Sequence, residues 1–179
     1  MGPALFGFGI FVATDRDQGL LALKRALPMP PAAYLIAKML MAVLFTAIVM
    51  VTLILGAVFI GHPKISPGHM AAVTAIDMLG ALPFCAIGLF IGTRTTAKTA
   101  PAFANLAYLP MIYLSGLFFP MPKSIQAIQF ASPAYYLDQL ALRAAGVHVD
   151  GSAIVQLAVL AGTTLLLSYF SIRRLGVTR

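Results

Sequence analysis

DRDQGLLALKRALPMPP, residues 15–31, is the longest polar-rich interruption in the first third of this chain. Two acids open it, two bases follow, and Pro28, Pro30 and Pro31 end it. Leu20, Leu23 and Leu27 fall at i, i+3 and i+7, with Leu21 beside them, while Lys24 and Arg25 face elsewhere. The spacing predicts a short amphipathic helix over 17–27, of the kind that lies flat in a membrane interface. On this reading Asp15 and Asp17 stand at the positive end of the helix dipole, and Lys24 and Arg25 at the negative end. Pro28 stops the helix, because proline blocks a helix interior and biases its predecessor away from helix.

The rest of the chain explains why an interface is the relevant surrounding. Of 179 residues, 60% are hydrophobic and only 9% charged, where a soluble domain carries about 25% charged residues. That leaves too little polar surface to cover a water-facing globule, so the natural solvent is a lipid bilayer. The net charge of +7 does not indicate nucleic acid, since the charges are scattered singly between apolar blocks, where helix ends meet headgroups. Cys85 is the one cysteine and has no internal disulfide partner. His62, His69 and His148 lie in connections, and no His-x-x-x-His or paired-Cys pattern points to a metal. No glycine-rich loop ends in Lys-Ser or Lys-Thr, so nothing in the chain would cradle a triphosphate. No cofactor is expected in this chain, and its energy must come from a partner or an ion gradient.

Outward from residues 15–31, the sequence reads as one all-α, polytopic membrane domain over 1–179, with four full transmembrane helices and a partial N-terminal one. Residues 1–14 are apolar but span only about 20 Å as a helix, short of the roughly 30 Å hydrocarbon core. They read as the inner half of a span whose beginning is absent. Full spans are expected at 32–60, 70–91, 102–119 and 152–170. Lys38 lies early in the first and can snorkel back to the headgroups. The second holds Asp77, Pro83, Cys85 and a Gly88–Gly92 pair, and Pro110 should bend the third. Residues 61–69 and 92–101 are short connections. Residues 120–151 carry too many polar groups to cross lipid and read as an external amphipathic hairpin. Phe118, Phe119, Tyr135 and Tyr136 suit an aromatic belt there.

Alternate connections and the C-terminus hold Arg16, Lys24, Arg25, Arg94, Lys98, Arg173, Arg174 and Arg179, which with Lys38 make nine of the twelve basic residues, against Lys64, Lys123 and Arg143 on the other side. The positive-inside rule places the nine, and the C-terminus, in the cytoplasm, with the chain in the inner membrane.

Three pieces of sequence now carry a resemblance. DRDQG (15–19) looks like an acidic–Arg–acidic–x–Gly opening to a first cytoplasmic loop. LPMPPAAYLIAK (27–38) looks like a proline-marked return into the membrane. LSGLFFPMPKSIQAIQFASPAYYLDQLALRAAG (114–146) has a span ending in Ser-Gly-x-x-x-Pro, then an amphipathic hairpin, a proline and an aromatic pair. Together they resemble the permease subunit of ABC-2 type exporters. The resemblance implies a pathway for an amphipathic drug-like, lipid-linked or saccharide substrate. It would be built by two permease subunits, as a homo- or heterodimer, and driven by ABC ATP-binding subunits that hold ATP and Mg. It also implies that Asp15, Arg16, Asp17, Gly19, Leu20, Leu23, Lys24 and Arg25 form the cytoplasmic coupling helix on which the ATPase docks.

Candidate pathway residues are fewer. Asp77 is the one acid inside a predicted span, about 10 Å from its outer end, and intramembrane acids are functional candidates by default. It could bind a cationic substrate or carry a proton, or simply face a water-filled vestibule. Tyr108, Tyr113 and Ser115 could line a pathway, or only hydrogen-bond between helices. Ser115-Gly116 does not read as an intramembrane protease, because every histidine lies outside the spans. Two other functions compete. A gradient-driven secondary transporter would use Asp77 but needs a repeated half, and no convincing internal repeat is visible. A non-transporting membrane scaffold is the other.

Overall fold

The computed structural model describes residues 2–19, 31–61, 66–116, 126–149 and 151–177, and among these every regular element is helical. The helices are α1 (Gly2–Asp17), α2 (Pro31–Gly56, carried on by a π-helical turn Ala57–Gly61), α3 (Pro67–Gly92), α4 (Ala100–Ser115), α5 (Gln126–Gln129), α6 (Pro133–Ala144) and α7 (Ala153–Val177). Among the described residues, three stretches are long and apolar enough to cross a bilayer, Ala33–Ile60, Pro67–Gly92 and Ala153–Arg174. The expected spans at 32–60, 70–91 and 152–170 lie within or overlap these.

The boundaries moved for local reasons. Helix α3 starts at Pro67, three residues earlier than expected, because Ser66 is extended (φ −60°, ψ 142°) and hands over to a proline at the first helical position. Helix α7 runs past Arg173 and Arg174 to Val177, since cations are favourable at a helix C-terminus. Helix α4 is shorter than the expected 102–119. Gly116 takes the left-handed conformation (φ 80°) and closes the helix, its amide donating to the Tyr113 carbonyl at 3.4 Å. The 16 residues of α4, like the 16 of α1, make a helix of about 24 Å. Residues 117–119 lie outside the described residues.

Helix α3 is the hub. It packs against α1, α2, α6 and α7, and half of its most apolar window is buried. Phe84, Cys85 and Leu89 on α3 meet Leu5, Phe8 and Val12 on α1 in one buried cluster. Helices α1 and α3 run parallel, and their seam is backbone against backbone. A methyl placed on Gly9 would lie 2.9 Å from the Gly88 carbonyl oxygen. One on Gly88 would run into the Leu5 carbonyl, and one on Gly92 into the Gly9 carbonyl. The Gly88–Gly92 pair therefore admits α1 at a separation that no side-chain-bearing residue allows.

Helix α2 returns antiparallel along α3, with the Cys85 thiol facing the Lys38 carbonyl at 3.9 Å. Helix α6 runs antiparallel to the Pro67 end of α3. Leu137 fills the space over Gly80, and Gly146 lies against His69. Its buried residues Ala134, Leu137 and Leu140 make one apolar stripe along the helix. The amphipathic helix is thus packed lengthwise along a span. Phe130, Tyr135 and Tyr136 stack edge to face in series, with centroids 5.6 and 5.5 Å apart. Arg143 then ties the α6–α7 connection by donating to the carbonyls of Val149 (3.1 Å) and Gly151.

Candidate functional site

The first half of the expected coupling segment is described, and it differs from the sequence reading. Asp15, Arg16 and Asp17 are the last turn of α1, not the first turn of a following helix. The Thr14 hydroxyl donates back to the Ile10 carbonyl at 2.9 Å, and the Gln18 amide to the Thr14 carbonyl at 3.0 Å, so the helix passes unbroken through the acids. Gly19 ends it in the left-handed conformation (φ 72°), its amide donating to the Arg16 carbonyl at 3.1 Å. The missed signal was that glycine, which marks a helix C-terminus as readily as the start of a loop. Asp15 and Asp17 therefore sit at the negative pole of their own helix, the reverse of the favourable placement expected. Leu20, Leu23, Lys24 and Arg25 lie outside the described residues.

Acids at the unfavourable pole need partners elsewhere, and each residue of the trio reaches a different element. Asp15 Oδ2 accepts a hydrogen bond from the Tyr34 hydroxyl at 3.0 Å and stands 3.9 Å from the Lys38 Nζ of α2. Lys38 also lies 5.5 Å from the ring centroids of both Phe11 and Tyr34, within the range of cation–π attraction. Lys38 thus turns toward α1 and its carboxylate, and both side chains of the ion pair are largely buried.

Arg16 Nη1 donates to the Thr93 carbonyl at 2.7 Å. Thr93 is the C-cap of α3, so the guanidinium serves the negative pole of that helix. Asp17 Oδ2 accepts the backbone amide of Ala97 at 2.6 Å, just ahead of α4, whose N-cap is Thr99. A carboxylate there faces the positive pole of α4. Within the 93–99 connection, the Thr96 amide donates to Thr99 Oγ1 at 3.1 Å and the Thr99 amide to the Thr96 carbonyl at 3.1 Å. Arg94 folds over the Phe90 ring, 3.6 Å from its centroid. The connection is a formed turn, and the end of α1 grips it at two points.

The four candidate pathway residues have separate surroundings. Tyr108 faces α1, edge-on to Phe6 with centroids 5.1 Å apart. Tyr113 is exposed, whereas Ser115 is buried and its hydroxyl donates to the Ile112 carbonyl at 2.7 Å. Asp77 is half-buried on α3, ten residues from Pro67 and so about 15 Å down the helix. Its neighbour is an acid that the sequence reading passed over. Asp138 on α6 follows Leu137, the side chain that covers Gly80. Burial raises the Asp138 carboxyl above its ordinary range, and the charge of Asp77 raises it further. The available signal was the α6 pattern itself, because Asp138 directly follows a residue of the buried stripe.

Charge is sorted along the bundle. Arg16, Lys38, Arg94, Lys98, Arg173 and Arg174 all belong to the Gly92 end of α3, while Arg143 belongs to the Pro67 end. Apolar helices of spanning length with cations gathered at one end describe a multi-pass membrane protein.

The comparisons with known proteins agree. Over 140 residues the chain is 31% identical to a Bacillus subtilis (strain 168) protein named "Putative transport permease YvfS", a match covering 76% of this chain and 57% of that relative. The chain thus spans little more than half the length of the relative it matches. The family model for the ABC-2 type transporter matches residues 2–144, which include the α1–α3 seam, the charged trio and α6. With that match over most of its length, on a helical bundle whose described cations, Arg143 apart, gather at one end, the chain belongs to the ABC-2 type transporter family as a membrane permease subunit.

Proposed function

We propose that this chain forms the membrane pathway of an ATP-driven exporter, with hydrolysis supplied by a separate ABC ATP-binding subunit that holds ATP and Mg. The substrate would be amphipathic, such as a drug-like, lipid-linked or saccharide compound. A second permease subunit, identical or homologous, completes the pathway. Helices α1 and α4 count as membrane segments beside the three long helices, giving four full spans and one partial. The protein sits in the inner membrane with the Gly92 end of α3 and the C-terminus in the cytoplasm.

The observation that carries this reading is the coincidence of charge and connection. The cations gather at the same end as the Asp15-Arg16-Asp17 turn, which leads into the proposed coupling residues Leu20, Leu23, Lys24 and Arg25. The ATPase would dock there, and its closure would shift the balance between inward- and outward-open states.

Co-purification tests it. Wild-type chain, expressed with an ATP-binding subunit encoded alongside it, is expected to retain that subunit through purification in detergent. Leu20→Asp with Leu23→Asp is expected to lower the retained fraction roughly tenfold, the equivalent of ~1.4 kcal/mol, at unchanged permease yield. Equal retention by the double variant would remove the coupling assignment, and no capture by wild type would remove the ATP-driven reading.

A further inference from the structure

We infer that Arg16 and Asp17 are positioning residues that clasp the 93–99 connection to the end of α1, so that the last turn of α1 and that connection move as one body. The inference rests on the coupling reading above for its purpose, but not for its geometry. If the ATPase acts through the loop that follows Gly19, its stroke reaches α3 and α4 through this clasp as well as reaching α2 along the chain.

Three observations converge. First, the contacts are opposite in kind and adjacent in sequence. The Arg16 guanidinium meets the carbonyl that caps α3, and the Asp17 carboxylate meets an amide just before α4. Each charge lies at the helix pole that attracts it, and both bonds are of the stronger, charge-assisted class. Second, Asp17 is misplaced on its own helix, at the negative pole of α1. Its placement suits α4, to which the Ala97 amide leads. Third, the gripped segment is already a formed turn, held by the reciprocal Thr96–Thr99 bonds and by Arg94 stacked on Phe90. A pull on Ala97 is therefore passed to α3 and α4 rather than absorbed by slack. On its other side the same turn of α1 holds α2 through Asp15, Tyr34 and Lys38. The last turn of α1 thus binds elements that are distant in sequence into one plate.

The test is a distance measurement on the full chain in lipid nanodiscs. Spin labels go at Gln18→Cys and Lys98→Cys, both exposed positions, in a Cys85→Ser background. The label-to-label distribution is expected to be narrow, and unchanged when the ATP-binding subunit and ATP-Mg are added. Asp17→Ala is expected to broaden it, raising the population with separated connections roughly tenfold, which corresponds to ~1.4 kcal/mol. Asp17→Asn keeps a carbonyl oxygen to accept the Ala97 amide and is expected to restore most of the narrow distribution. A purely helix-stabilising role for residue 17 predicts the reverse order, because alanine is the better helix former.

Two results would overturn the clasp: a wild-type distribution that shifts on ATP-Mg, or an Asp17→Ala distribution as narrow as wild type. Failure of the ATP-driven reading is seen separately, as no capture of the ATP-binding subunit. The comparison of wild type, Asp17→Ala and Asp17→Asn in the permease alone then still decides the clasp.

Discussion

Gly88→Leu is expected to leave little monodisperse protein in detergent and to cost about 3 kcal/mol or more in what survives. A Cβ at this position runs into the Leu5 carbonyl and comes within 3.1 Å of the Gly9 amide nitrogen. Both obstacles are backbone atoms and cannot rotate aside, so relief requires α1 to move off α3. That movement exposes Leu5 and Val12, which are fully buried on α1. Gly92→Leu should behave alike, since its Cβ meets the Gly9 carbonyl and approaches the Val12 Cβ at 3.1 Å. Gly7→Ala is the control. It lies on α1, two residues from Gly9, with nothing within 4 Å of the added methyl, and should be neutral or stabilising by up to about 1 kcal/mol. Size-exclusion profiles and thermal unfolding midpoints check all three. An unchanged midpoint for Gly88→Leu would mean that α1 and α3 do not meet along these glycines.

Asp15→Ala carries the second large effect. Asp15 faces an ammonium that is itself largely buried, with side-chain exposures of 17% for Asp15 and 16% for Lys38. Removing one partner of a buried pair costs more than the pair contributes, because it strands the other charge. The Phe11 and Tyr34 rings remain beside Lys38 and soften the loss. A cost of ~2 kcal/mol is expected, below the 3–5 kcal/mol of a fully buried pair. Adding Lys38→Met should recover more than half of it, since an apolar side chain of similar length needs no carboxylate. Unfolding midpoints of wild type, the single variants and the double variant form a cycle that isolates the coupling. Strictly additive midpoints would show that Asp15 and Lys38 do not stabilise each other.

The parts of this fold that depend on composition and punctuation were readable in the sequence. The prolines that end at Pro31 mark a return into the membrane, and the apolar run to Ile60 marks a span. The Gly88–Gly92 pair is visible in the sequence, but the partner it admits is not, because Gly9 sits in an apolar stretch with nothing to distinguish it from Gly7. The site was less legible. Asp15 and Asp17 were read by the local rule that acids favour helix N-termini, whereas their positions are set by Tyr34, Lys38 and Ala97, up to 80 residues away in sequence. Local propensity is a weak guide where a long-range charge pair competes with it. Lys38 was assigned to the headgroups for the same reason. Asp138 is not legible because the amphipathic character of residues 120–151 does not reveal which neighbour its apolar face meets.

The distribution of burial among the spans has a consequence for how the sequence can drift. Helix α2 is the most apolar of the three long helices, yet its most apolar window is not buried, and Leu40, Leu44, Leu53 and Ile60 stand in the open. Helix α3 is less apolar and far more enclosed. Apolarity here measures contact with lipid, and smallness measures contact with protein. A saturation library should therefore accept almost any greasy residue at the open positions of α2, though not at the buried Leu35 and Ala42, while rejecting even a single added methyl at Gly88 or Gly92. Divergent copies of this chain would keep the plain residues of the hub and freely rewrite the conspicuous ones around it.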